Sequence, residues 1–197
     1  MSRILCLDPA GESFGVAVLE VQDGKIYIPM HFLLNAPENW DISRKNSYMA
    51  HCTAALIGLE KPDYVVSEKP WGMGFSKDSL LQLIGAIKAE SWAKIEWQGI
   101  SEVRRGVLGD GHGASDKFTS TEWLLKYPFS ISAKNTIKSY LDTAQKDGRV
   151  GYDILDAILH GVFFLIEKGL VQPVHKPLKI KKKKKKGIVN ELHKKDS

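Results

Sequence analysis

Two cysteines among 197 residues are too few for a disulfide framework. Cys6 and Cys52 are also too isolated to form a zinc site, so both read as structural thiols, one on a buried strand and one on a helix. No apolar run approaches the roughly 18 residues that a membrane span needs, and no membrane partner is expected. The opening residues lack the charged, apolar, small-residue order of a secretory signal, because Asp8 and Gly11 interrupt the apolar stretch. A soluble, cytoplasmic protein is therefore expected. No internal repeat is visible.

What the chain has in excess is positive charge, and that charge is unevenly placed. Residues 170–197 carry ten lysines against Glu191 and Asp196, a balance of +8, which leaves residues 1–169 with 18 basic and 21 acidic side chains, a balance of −3. Six consecutive lysines, Lys181 to Lys186, repel one another and have few apolar partners, which favours a disordered tail. The expected organisation is one domain over 1–169 followed by a basic, lysine-rich tail over 170–197. A mildly acidic body with a separate basic arm suits a nucleic-acid enzyme whose metal-binding carboxylates offset a basic face.

Along the body, Arg3 to Asp8 and Phe14 to Glu20 read as strands, and Asp23-Gly24 is a hairpin turn leading to a third strand, Lys25 to Leu34. Ser43 is positioned to cap a helix from Arg44 to Leu59. A strand from Tyr64 to Glu68 follows, then a helix from Asp78 to Trp92 with an apolar face of Leu80, Leu81, Leu83, Ile84 and Ile87. Ala93 to Ile100 reads as a fifth strand. Ser101 to Leu108 reads as a short helix exposing Arg104 and Arg105, and Gly109, Gly111 and Gly113 then forbid regular structure. A helix is expected from Asp116 to Lys126. Residues 129–150 carry the weakest pattern, with a helix over 133–145. A last helix, bearing Asp153 and Asp156, ends near Gly169.

Four acids stand out by position. Asp8 closes the apolar run Ile4-Leu5-Cys6-Leu7 and Glu68 closes Tyr64-Val65-Val66-Ser67, so both lie at strand ends. Asp153 and Asp156, three residues apart on a helix, share one face. Together they would form a cluster of four negative charges, stable at neutral pH only if cations neutralise it. Two Mg²⁺ ions suit such a site, because they take carboxylate oxygens and keep positions open for phosphate and water. Any one of these acids alone is more often a solvated strand end or a helix cap; the constellation carries the signal. His160 lies one turn beyond Asp156 in an apolar run, where a histidine is more often a satisfied core residue, and its part in the site stays open.

Three antiparallel strands followed by alternating helices and strands, with acids at these places, resemble the ribonuclease H-like fold, an α/β class with a mixed five-stranded sheet flanked by helices. The order Ile4 to Ala10, Val65 to Trp71, Val103 to Lys117 and Asp153 to Ala157 resembles the RuvC-type Holliday junction resolvases over nearly all of residues 1–169, and the chain is similar to a phage or other viral member. The resemblance implies that Asp8, Glu68, Asp153 and Asp156 are the catalytic, metal-binding acids, although Asp8-Pro9-Ala10 stands where the family has Asp-Pro-Gly. It makes Trp71 the aromatic that stacks on bases at the junction centre, against the alternative of an ordinary half-buried tryptophan. It gives Arg104 or Arg105 and Lys117 phosphate contacts. Arginine replaces the family's first lysine here and the glycine-rich loop is two residues longer, so a solvated helix face remains the alternative for the two arginines.

The activity implied is a crossover junction endodeoxyribonuclease that leaves 5′-phosphate ends, with Mg²⁺ as cofactor, two ions per site, and Mn²⁺ able to replace it. The implied substrate is branched DNA, above all four-way junctions, in recombination, repair or replication, and in a host cytoplasm if the chain is viral. A symmetric junction calls for a homodimer, for which the apolar face of the 78–92 helix is the candidate interface. Two other classes compete: a ribonuclease acting on RNA or RNA–DNA hybrids, and a noncatalytic junction-binding protein.

Overall fold

The computed structural model describes residues 1–9, 13–69, 75–91, 94–109, 121–147 and 151–174. Five strands form one sheet: β1 (Ser2–Pro9), β2 (Ser13–Gln22), β3 (Lys25–Asn35), β4 (Tyr64–Glu68) and β5 (Ile95–Gln98), in the order β3-β2-β1-β4-β5. The β1–β2 and β2–β3 pairs are antiparallel, whereas β4 joins β1, and β5 joins β4, in parallel. Asp23 and Gly24 both take positive φ, 50° and 71°, the geometry of the tight hairpin turn that Asp-Gly favours. Residues 128–130 run beside the start of β3, where Ile26 donates to the Pro128 carbonyl and accepts from Ser130 N, both at 2.9 Å.

Helices cover both faces of the sheet. On one side lie α1 (Ile42–Glu60) and α2 (Phe75–Ser91). On the other lie α3 (Ile100–Leu108), α4 (Ile131–Asp147) and α5 (Tyr152–Glu167). A strand buried on both faces has no polar side to show, which is why β1 reads as an unbroken apolar run. Its residues alternate between two cores: Leu5 and Leu7 face the first pair of helices with Val16, Val18 and Val65, while Ile4 and Cys6 face α5 with Ala17, Leu19 and Val66.

Several boundaries differ from the sequence reading. Asp41, not Ser43, caps α1, its carboxylate accepting from Arg44 N at 2.9 Å; Ser43 falls inside the first turn. Helix α2 begins at Phe75, so Asp78 lies within it rather than before it. β5 is only four residues long because Ile100 already belongs to α3. Residues 124–126 form a 3₁₀ turn, and the expected helical start at 116 lies outside the described residues. The weakly patterned segment is a full helix, 131–147, because Ala133, Ile137, Leu141 and Ala144 recur at three- and four-residue spacing and are all buried.

The proposed dimer face is also revised. Leu83, Ile84 and Ile87 of α2 are buried within the chain, and only Leu81, 45% exposed, remains at the surface among the described members of that face. Helix α1 packs against α2 and takes up the apolar surface that the sequence offered to a partner. Both cysteines are free, Cys6 buried on β1 and Cys52 half-buried on α1. No helix among the described residues is long and apolar enough to cross a membrane.

Candidate active site

Strand alternation determines where the acids point. Asp8 has the parity of Ile4 and Cys6, and Glu68 that of Val66, so both side chains leave the sheet on the α5 face. The register sets Leu7 beside Ser67 and Glu68 beside Gln98. Asp8, Glu68 and Gln98 therefore form a row across the carboxyl ends of three adjacent parallel strands.

Helix α5 lies over this row, and glycine lets it come close. A Cβ placed on Gly15, the β2 residue paired with Asp8, would meet the Asp153 carbonyl oxygen at 2.0 Å and its carbon at 2.4 Å. A Cβ on Gly161 of α5 would meet Leu19 Cδ1 at 2.4 Å and Cys6 Sγ at 2.5 Å. At Gly15 the obstacle is backbone, so no larger residue fits there without moving the helix; at Gly161 it is the side chains of Leu19 and Cys6, which would have to give way. The start of α5 is further tied to β2 by Ser13, whose hydroxyl donates to the Asp153 carboxylate.

The resulting site is largely buried and rich in acidic groups. Asp8 is 5% and Asp156 3% exposed. The Asp8 carboxyl is held well above its ordinary range, first by burial, then by the Asp156 charge, by a hydrogen bond with Glu68, and by the charges of Glu68 and Asp153. His160 is fully buried on the same helix face, two turns beyond Asp153. A ring nitrogen of His160 and one carboxylate oxygen each from Asp8 and Glu68 lie within 4.8 Å of one another. Its Nδ1 is 3.0 Å from Gln98 Oε1, and its Nε2 has no hydrogen-bond partner among the described residues. Burial, and secondarily the Arg104 charge, lower the His160 pKa to about 3, so the ring is neutral and can offer a lone pair.

Buried Asp8 and His160 and half-buried Glu68 thus form a group able to hold a metal ion. The donor set fits a divalent cation: two carboxylates and an unprotonated imidazole supply ligand atoms, and a cation would relieve the repulsion that raises Asp8.

The structure brings together Asp8, Glu68 and Asp156, with Asp153 close enough to act on Asp8 through its charge. It separates the two arginines expected to be exposed. Arg104 is buried, 6% exposed, with Nη2 4.0 Å from Asp156 Oδ1, because α3 turns this side chain inward onto α5. Arg105 is exposed, donates from Nε to the Ser101 carbonyl at 3.0 Å, and lines a cavity of about 500 Å³ with Lys69 and Trp97. Trp71 and Lys117 lie outside the described residues. His160, whose part the sequence leaves open, lies with the acids; its spacing continues the face of Asp153 and Asp156 by one further turn but fits a core histidine equally well. Gln98 was missed.

No protein-family model matches the chain. Over 66 residues it is 32% identical to the crossover junction endodeoxyribonuclease RuvC of Dictyoglomus thermophilum, a stretch that takes in 34% of this chain and 42% of the relative, so the match spans less than half of that relative's length. Among solved structures, Thermus thermophilus RuvC in complex with a Holliday junction substrate superposes with a TM-score of 0.62 at 12% identity, covering 87% of this chain and 99% of that one. The yeast mitochondrial Holliday junction resolvase gives 0.60 at 13% identity, covering 83% and 78%. The architecture is therefore the ribonuclease H-like one expected from the sequence. Within that class, the fold is that of the RuvC-type Holliday junction resolvases.

Proposed function

We propose that the chain is a metal-dependent endodeoxyribonuclease that resolves four-way DNA junctions, acting as a homodimer. The observation that carries this reading is the convergence of Asp8, Glu68 and His160 at the carboxyl ends of the parallel strands, with buried Asp156 close enough to act on Asp8 through its charge, in a fold shared with a RuvC bound to a Holliday junction substrate. Asp8, Glu68, Asp153 and Asp156 are the residues proposed to hold two Mg²⁺ ions, with Mn²⁺ able to replace them. When bound, such cations supply stabilisation of phosphate charge and a water of lowered pKa.

The chain's own groups do the rest. The carboxylates of Asp8 and Glu68 fix the reacting end of the site against the rigid strand ends. Helix α5, seated against Gly15, sets the distance of Asp153 and Asp156 from them. Buried Arg104 beside Asp156 offsets part of the acidic charge. Arg105 and Lys69, on the cavity wall next to β4 and β5, are placed to take backbone phosphates. Trp71 and Lys117 are proposed as further DNA contacts on the strength of the sequence resemblance, and the lysine-rich tail as a nonspecific electrostatic arm.

Cleavage of a mobile four-way junction in Mg²⁺, mapped on all strands beside linear duplex and RNA–DNA hybrid, tests the proposal. Paired nicks across the junction with 5′-phosphate ends, and little cutting of duplex or hybrid, support it. Preferential cutting of the hybrid would assign the chain to ribonuclease action instead.

A further inference from the structure

The four-acid site leaves one buried group without a task. His160 has no exposed surface, and buried polar atoms in proteins are almost always hydrogen-bonded. Its Nδ1 meets that rule through Gln98 Oε1 at 3.0 Å; its Nε2 does not, having no partner among the described residues. The carbonyl oxygen of Gln98 accepts from Nδ1–H, which places the lone pair of the neutral ring on Nε2. That is the arrangement of a metal-binding histidine, whose second ring nitrogen is held by an outer partner that fixes tautomer and ring orientation. Gln98 is itself buried, 4% exposed, and sits beside Glu68 in the β4–β5 register, so the strand that carries the outer partner neighbours the one that carries a carboxylate.

We propose that His160 is a nitrogen ligand of the metal centre, with Gln98 as its positioning residue, and that this mixed nitrogen and oxygen subsite selects Mn²⁺ or Co²⁺ over Mg²⁺. The proposal rests on the reading of the acids as metal ligands. Its own support is the ligand geometry: a ring nitrogen of His160 lies within 4.8 Å of carboxylate oxygens from both Asp8 and Glu68. Mg²⁺ favours oxygen ligands and gives up its water shell reluctantly. An imidazole donor favours first-row transition cations over Mg²⁺, Mn²⁺ least and Co²⁺ more strongly. A site made of carboxylates alone would discriminate less between these ions.

The test is pulsed electron paramagnetic resonance of the full chain loaded with Mn²⁺, without DNA, together with calorimetric titration of Mn²⁺ and Mg²⁺. The unmodified protein should show the hyperfine coupling of a directly bound imidazole nitrogen, a result that needs no variant to fold. His160→Asn should lose that coupling and bind Mn²⁺ about ten-fold or more weakly, with Mg²⁺ affinity changed by less than about three-fold. Gln98→Ala should keep the coupling and weaken Mn²⁺ by about ten-fold, the usual scale for an outer partner. If Mn²⁺ binds in a manner abolished by Asp8→Asn yet shows no nitrogen coupling, the His160 assignment is overturned and the proposed function stands. If neither cation binds in an Asp8-dependent manner, the acidic metal site itself is wrong and the His160 assignment falls with it.

Discussion

Replacing Gly15 by alanine adds one methyl group at the point where α5 rests on the sheet. That methyl would sit 2.0 Å from the Asp153 carbonyl oxygen, 2.4 Å from the carbonyl carbon and 3.0 Å from Ile154 N. All three are backbone atoms, so no side-chain rotation relieves the overlap, and the first turn of α5 must withdraw by roughly 1 Å in a close-packed interior. Overpacking of this kind costs about 1–3 kcal/mol. For a chain of this size that corresponds to a fall in Tm of about 2–12 °C. The larger effect is on the site, because Asp153 and Asp156 move with the helix while Asp8 and Glu68 stay on the strands. A displacement of about 1 Å can cost roughly 100-fold in rate. Gly58→Ala on α1, where a Cβ meets nothing within 4 Å, is the control; it should gain about 0.5–1 kcal/mol of stability and cut normally. Junction cleavage well below the melting temperatures, with calorimetric melting of all three proteins, makes the comparison. Gly15→Ala cutting at the parent rate would refute the claim that this contact positions the acids.

Three further outcomes are expected. In the metal-free protein, Asp8 holds its proton more tightly folded than unfolded, since burial and then the neighbouring acids raise it above 3.8; its stabilising contribution is present at low pH and lost as pH rises through the raised value. Asp8→Asn should remove that loss, giving a flatter urea-stability profile with pH in EDTA, and an unchanged profile would contradict the buried, crowded carboxyl. Arg104→Ala should cost about 3–5 kcal/mol in urea unfolding, the usual scale for removing one partner of a buried ion pair, with Arg104→Lys recovering part of it; a loss under about 0.5 kcal/mol, typical of a surface site, would place Arg104 outside the core. Trp71→Ala should slow junction cleavage by about ten-fold without lowering Tm, from the roughly 1–3 kcal/mol of a base stack, with Trp71→Phe recovering much of the rate; a parent-like rate, or an unfolded variant, ends the stacking role.

How much of this was legible in the sequence depended on whether neighbouring residues carried independent signals. β1 and β4 were readable because burial on both faces leaves no polar alternation to confuse, and because each run stops at an acid. The Asp23-Gly24 turn was readable because few residue pairs accept positive φ twice in succession. Arg104 and Arg105 were assigned together as exposed, yet adjacent helical residues point about 100° apart. Arg104 lies within the arc defined by Val103, Val107 and Leu108, all buried, while Arg105 lies outside it, so the distinction was present in the spacing. His160 was not readable in the same way. A histidine in an apolar helix run has the same local pattern whether it packs in a core or faces a cation, and only the strand register that puts Gln98 beside Glu68 separates the two. The α2 face misled for a related reason: apolar periodicity shows that a face is covered but not by what, and α1 covers it here.

The central claim is that Asp8 and Glu68 hold the cations that cut a branched DNA. It is tested most directly by measuring binding and Mg²⁺-dependent cleavage of one four-way junction by the unmodified chain, Asp8→Asn and Glu68→Gln. Each substitution removes a ligand charge at nearly constant volume, so both variants should bind the junction as the parent does and leave it uncut. Cleavage at the parent rate by either one would contradict the site.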